Sequence, residues 1–276
     1  MSTDTTRRRL LAAAGASGLA ALAGCSSMTP FVGRRTTSSE TVSTDEADQV
    51  AVSGEVGDIS IVGADREDIA LDIEKQSSSI SADLADLELE TERTDDRLEL
   101  RSAWHGRDSW FGNRPTMNMD VELPSELALE RIDASIGRIA VRDVVGDLTI
   151  DASTGEVDVD GVDGAVGAHT STGRVRVRDV EALEDVHTST GEVDVEIPAI
   201  DGETAITTST GRIDAAIGSD VDAELHVQTS TGDVDVDGLE LTEVTEGDGL
   251  VVGTLGDGGP TLRFEVSTGE ITLTTL

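Results

Sequence analysis

Ser153-Thr154-Gly155-Glu156-Val157-Asp158-Val159 is followed 18 residues later by Ser171-Thr172-Gly173-Arg174-Val175-Arg176-Val177, and after another 18 by Ser189-Thr190-Gly191-Glu192-Val193-Asp194-Val195. Near-copies at a fixed step are the signature of a repeat architecture. Further Ser-Thr-Gly triplets end at Gly211, Gly232 and Gly269, and Ser135-Ile136-Gly137 is a degenerate copy. The glycines at 137, 155, 173, 191, 211, 232 and 269 are therefore spaced by 18, 18, 18, 20, 21 and 37 residues. The last gap fits two repeats with one marker lost. Gly57-Asp58-Ile59-Ser60-Ile61 is a weaker echo.

After each glycine the order is charged, apolar, charged, apolar. A period of two is a strand with one buried face. Asp160-Gly161 and Asp163-Gly164 then break the strand, and a second short strand follows at Ala165 to Thr170. One repeat cannot bury its own valines. Repeats stacked about 4.8 Å apart can, while pairing their backbone groups above and below. The predicted inner files are Ile139, Val157, Val175, Val193, Ile213 and Val234, then Val141, Val159, Val177, Val195, Ala215 and Val236.

The charges test this register. Directly after the glycines stand Arg138, Glu156, Arg174, Glu192, Arg212 and Asp233, alternating in sign. In a parallel stack each lies between opposite charges, a favourable cross-strand arrangement. The expected fold is all-β: a single-chain parallel β-solenoid (β-helix) of about 18–21 residues per turn. A left-handed acyltransferase-type helix needs an apolar residue every six positions. From Val157 the sixth and twelfth are Asp163 and His169, so that pattern fails.

Composition sets the surroundings. Lys+Arg number 20 against Asp+Glu 56, a net charge of −36. Lys75 is the only lysine. Such an acid excess fits a halophilic protein, because in molar salt the Debye length is about 3 Å and self-repulsion is screened. A nucleic-acid partner is excluded, since phosphates need a basic surface. Aromatics make up 2% of the chain and tyrosine is absent, so the core must be aliphatic and thin.

The first residues read as an export signal. Thr6-Arg7-Arg8-Arg9-Leu10-Leu11 resembles a twin-arginine motif, with Arg7 and Arg8 as the pair. Leu10 to Ala23 is apolar but too short to span a bilayer. Leu22-Ala23-Gly24-Cys25 resembles a lipobox, whose thiol takes a lipid. Cys25 is the sole cysteine, so no intrachain disulfide forms. The expected segments are residues 1–24, signal peptide; 25–48, a Ser/Thr/acid-rich tether; 49–123, a less regular β region capping the solenoid; and 124–276, the β-solenoid repeats. A short helix is expected around Asp83 to Leu87, and Leu262 to Leu276 is expected to close the far end.

Three candidate sites stand out. Trp104, Trp110 and Phe111 fall together among Gly106, Gly112, Asn113 and Pro115. They predict a loop that either binds, since aromatic faces stack on ligands, or plugs the end of the stack. His169 and His187 occupy equivalent places four before their glycines, near Asp151. They could bridge a metal, but an exposed polar ladder explains them more simply. Asp233-x-Asp235-x-Asp237-Gly238 opens like a calcium loop. Its twelfth position is Val244, however, and the acids also fit a strand's outer face. No metal, cofactor or catalytic residue is therefore expected.

Gly57-Asp58-Ile59-Ser60-Ile61, Leu123-Pro124 and the Ser-Thr-Gly-(Glu/Arg/Asp)-Val-x-Val repeats together resemble the adhesin-like β-strand-repeat family, domain of unknown function 4097. The resemblance covers roughly residues 49–276. It implies a β-solenoid, often on exported or membrane-attached proteins, with no catalytic residues to carry over. The expected function is a lipid-anchored, adhesin-like binding or envelope scaffold protein on the outer face of the membrane, not an enzyme. Its expected partners are the membrane, through Cys25, and an envelope polysaccharide or surface protein. The alternative is a β-helix lyase or hydrolase acting on polysaccharide, which usually needs longer loops to wall a cleft.

Overall fold

Alternating valines and acids, with glycine at each break, lead to strands and little else. A computed structural model describes residues 33–45, 47–79, 83–94, 96–106 and 114–276. Among these residues fifteen strands form one sheet, whose order does not close on itself. The only helical element among the described residues is a 3₁₀ turn, Leu84–Asp86, capped by the Asp83 carboxylate accepting from Ala85 N. It lies where a short helix was expected.

The middle of the sheet carries the repeat. Strand β8 (Ala128–Val145), the 50-residue β9 (Leu148–Ile197) and β10 (Thr204–Ile217) follow one another in parallel register. Gly137 faces Gly155, Ile139 faces Val157 and Val141 faces Val159. Gly191 faces Gly211, and Val193 faces Ile213. Val157, Val175, Val193 and Ile213 are at most 1% exposed. Each such side chain contributes about 1.5–3 kcal/mol by leaving water. The core is mainly aliphatic, and among the described residues its one fully buried aromatic is Phe264.

The glycines are required. A Cβ on Gly173 would lie 1.6 Å from the Gly155 carbonyl oxygen, and one on Gly191 would lie 1.6 Å from that of Gly173. Both have φ near +150°, a conformation L side chains rarely adopt. The corner packs backbone on backbone. At the second corner Asp143, Gly161 and Asp179 share left-handed φ values of 53°, 76° and 49°, which aspartate tolerates better than most residues.

Both ends depart from the chain-order stack. At the N-terminal end, β2 (Gln49–Val56) and β3 (Ile59–Ala64) lie parallel on β8, with Ile59 against Ile139. The Gly57 echo thus occupies a row of the same stack, within the region 49–123. Beyond it the sheet forks. On one flank β6 (Arg97–Trp104) lies parallel to β2, and β5 (Leu87–Thr94) antiparallel to β6. On the other flank β7 (Thr116–Pro124) lies parallel to β3, and β4 (Ile69–Ser77) antiparallel to β7. Outermost is β1 (Arg34–Val42), antiparallel to β4. The tether expected over 25–48 therefore contains a strand. It is nearly all exposed, so it carries no apolar alternation to read.

At the C-terminal end, β15 (Thr261–Thr275) inserts between β10 and β11 (Ala223–Thr231). The next neighbour of Ile213 is Ile271, and Val234 follows after it. This corrects the predicted inner file, and β15 does not close the end. The end is made by β12 (Val234–Val236) and by β14 (Leu250–Leu255) and β13 (Leu241–Gly247), which pair outward from β11. The physical reason is that a row is specified by its glycine and flanking valines, and Gly269-Glu-Ile-x-Leu fits beside Gly211 as well as Gly232-Asp-Val-x-Val does. The outer strand β13 is bulged between Thr242 and Thr245, a device that blunts an open edge.

Candidate functional site: a polar groove beside the glycine corner

Side chains pointing outward from the parallel rows form files about 4.8 Å apart. Immediately after the glycines the file pairs itself. Arg138 Nη2 lies 2.8 Å from Glu156 Oε2, Arg174 Nη2 lies 2.6 Å from Glu192 Oε2, and Arg212 Nη2 lies 2.6 Å from Glu270 Oε2. Two residues further on, Arg176 Nε lies 3.1 Å from Asp194 Oδ2. In that second file Asp214 is half-buried, and desolvation raises its pKa against opposing help from Arg212 and Thr272.

Four residues before the glycines runs a different file. Register places Arg101 beside Ser53, Ser53 beside Asp133, and Asp133 beside Asp151. One and two 18-residue steps beyond Asp151 come His169 and His187, and His187 faces Thr207. This file forms one wall of a groove of about 680 Å³. Its rim is the serine of each corner: Ser135, Ser153, Ser171 and Ser189. Its N-terminal end is lined by Trp104 and His105.

Local chemistry fixes the end of the groove. Arg101 bonds the Glu90 carboxylate, and His105 Nε2 lies 2.9 Å from Glu90 Oε1. Desolvation would raise the Glu90 pKa, but the bonds from Arg101 and His105 outweigh it and hold it below the usual carboxylate value. Arg131 reaches both Asp133 and Asp151, and these bonds, led by Asp133, outweigh desolvation and lift its guanidinium above the usual value. Arg114 Nη1 lies 2.9 Å from Glu55 Oε2.

The two histidines do not converge. His169 Nδ1 stands 3.8 Å from Asp151 Oδ1, whereas His187 Nδ1 bonds Thr207 Oγ1 at 2.7 Å. Among the described residues no three His, Cys, Asp or Glu side chains are grouped to hold a metal ion. Asp233, Asp235 and Asp237 alternate with Val234 and Val236 around β12, so the acids occupy the strand's exposed face.

Of the residues singled out from sequence, Trp104 belongs to the groove. It is half-buried against the core, with Gly106 so close that a Cβ there would fall 2.0 Å from the indole ring. Arg7, Arg8, Cys25, Trp110 and Phe111 lie outside the described residues. The segment carrying Trp110 and Phe111 joins β6 to β7, the place where other repeats have Ser-Thr-Gly. Sequence reasoning found His169, His187 and Asp151 as a file. It missed Ser53, Arg101 and Asp133, although Ser53 and Asp133 also stand four before a glycine.

No helix among the described residues is long and apolar enough to cross a membrane. Among curated proteins none matches this chain. Solved structures of low identity do match. A "putative adhesin" from Bacteroides fragilis is 14% identical, covering 88% of this chain and 97% of its own, at a TM-score of 0.49. A "putative cell adhesion protein" from Clostridium sporogenes is 14% identical, covering 88% and 100%, at 0.39. A "putative lipid binding protein" from Parabacteroides distasonis is 13% identical, covering 88% and 96%, at 0.36. The family described as Toastrack DUF4097 matches residues 116–274, more than half of the sequence, and the chain belongs to that family.

Proposed function

We propose that this protein is an exported, lipid-anchored surface protein whose parallel β-solenoid serves as a non-catalytic, adhesin-like binding or scaffold body. The carrying observation is the glycine corner. Gly57, Gly137, Gly155, Gly173, Gly191, Gly211, Gly269 and Gly232 stack in that order, each one's absent Cβ facing the previous carbonyl oxygen at 2.0 Å or less, with Met117 before Gly57. Ser-Thr-Gly is thereby accounted for as a corner and not as a repeated nucleophile site, and the charged file beside it is spent on internal pairs. A stiff body with short corners suits display of a surface.

Anchoring rests on the order Arg7-Arg8, apolar run, Leu22-Ala23-Gly24-Cys25. Residues 1–24 are the signal and Cys25 carries the lipid. The tether after it ends before Arg34, where β1 begins. The acid excess suits work in high salt, facing outward on an envelope.

The test has two arms. Wild-type chain and Cys25→Ser are expressed in a salt-requiring host and their envelopes washed in molar salt. The wild type stays with the membrane and captures envelope material, and Cys25→Ser is shed. Purified protein is also assayed against a panel of envelope polysaccharides for hydrolase and lyase activity. Robust turnover abolished by one acidic substitution would replace this proposal with the polysaccharide-cleaving alternative.

A further inference from the structure

Outer side chains in the repeats mostly satisfy one another, as the file from Arg138 to Glu270 does. The file four before the glycines is satisfied only in part: His187 bonds Thr207, but Ser53 Oγ and His169 Nδ1 have no hydrogen-bond partner. Asp133 and Asp151 are direct neighbours in it, and Arg131 bonds both. Unpaired polar atoms gather in the same place. Ser53 Oγ, His169 Nδ1 and Thr170 Oγ1 are buried without a hydrogen-bond partner, and all three residues line the groove. Thr170 is only 3% exposed. Leaving a buried polar atom unpaired costs about 1–3 kcal/mol. Thr170 faces the core, whereas Ser53 and His169 are half-buried on the outward face, where a polar ligand in the groove can complete their bonding once the side chains turn.

The lining chooses the ligand. Carboxylates accept from neighbouring hydroxyls, while serine, threonine and imidazole both give and accept. One indole, Trp104, sits at the end, and aromatic rings pack against the apolar face of a sugar. The rows recur about every 4.8 Å, close to the advance of one hexose in an extended chain. A net charge of −36, with Asp133 and Asp151 in the wall, repels acidic sugars. We propose that this groove binds an extended, uncharged glycan chain, with successive sugars laid across the rows from Trp104 towards His187. The proposal rests on the body being a surface-binding module and names its ligand class.

Isothermal titration of the full chain in molar salt tests it, with mannohexaose, cellohexaose and chitohexaose as neutral probes. Hexagalacturonate and a short extended peptide are the contrasting probes. At least one neutral hexasaccharide is expected to saturate a single site. Asp151→Asn and His169→Ala should each weaken it by about tenfold or more with the melting temperature unchanged, whereas Asp235→Asn, far along the sheet, should not. Preference for the galacturonate or the peptide, or parental affinity in both groove variants, overturns the proposal. If no neutral probe binds while the chain still captures envelope material, the groove proposal fails and the surface-binding function stands. If capture fails too, both fall.

Discussion

Arg212 pairs with Glu270, its Nη2 2.6 Å from Glu270 Oε2, and not with Asp233, which follows the next Ser-Thr-Gly along the chain. Asp233 comes one row later, its carbonyl accepting from Ile271 N at 3.0 Å. The chain leaves a row empty after β10, builds β11 to β14, and returns to fill the gap with β15. The alternation of sign then runs Asp58, Arg138, Glu156, Arg174, Glu192, Arg212, Glu270 and stops, because Asp233 follows an acid.

This order makes a core prediction. Ile271, 1% exposed between two rows, should cost about 2–5 kcal/mol when changed to alanine. Val234, half-buried at the end of the stack, should cost about 1 kcal/mol or less. Urea denaturation of the two variants measures both. Equal losses, or a larger one at Val234, would mean that the rows follow chain order after all.

The corner makes another. Gly173→Ala places a methyl 1.6 Å from the Gly155 oxygen, on a backbone at φ +152°. Both rows must move, and the loss should exceed about 3 kcal/mol. Gly202, whose Cβ would meet nothing within 4 Å, is the control and should change stability by about 0.5 kcal/mol or less. Thermal melts of the two proteins side by side decide it.

Salt should reveal the charged file. Arg174→Glu sets an acid between Glu156 and Glu192 in place of the present pairs. These groups are exposed, so the expected loss is only about 1–2 kcal/mol in dilute buffer. In molar salt, where screening acts over about 3 Å, most of it should disappear. A melting deficit that is the same in both buffers would assign the loss to packing instead.

Much of this was legible in advance. A nearly constant step, one glycine per row and alternating signs settled the register from Arg138 to Arg212, since skipping a row would bring like charges together. The position of β15 was not legible. Glu270 and Asp233 are both acids after a glycine, so either satisfies Arg212, and only three-dimensional packing separates them. β1 was hidden because an exposed edge strand has no buried face to leave a period. The histidine file was visible because its members keep the step. Its continuation to Arg101 was not, because between β6 and β7 the Ser-Thr-Gly marker is replaced by the segment containing Trp110.

Asp214 gives a pH prediction. Desolvation raises its folded-state pKa above the ordinary value of 3.8, with Asp194 and Glu192 adding to the rise and Arg212 and Thr272 opposing it. The folded chain then binds the proton more tightly than the unfolded one. This group's contribution is therefore most favourable below pH 3.8 and declines as pH rises through the higher folded value. Asp214→Asn should raise the melting temperature at neutral pH, with the gain shrinking towards acid. A gain that grows on acidification would contradict the assignment.

The late return of β15 bears on synthesis. The ribosome releases β11, β14 and β13 before the strand on which β11 must lie has been made. Rows up to β10 can assemble while translation proceeds, but the far end must wait for β15. A nascent chain stalled near Pro260 would hold a finished front half and an open seam. Only a chain that extends through β15 can zip shut, so the fold withholds its far end until that strand is made.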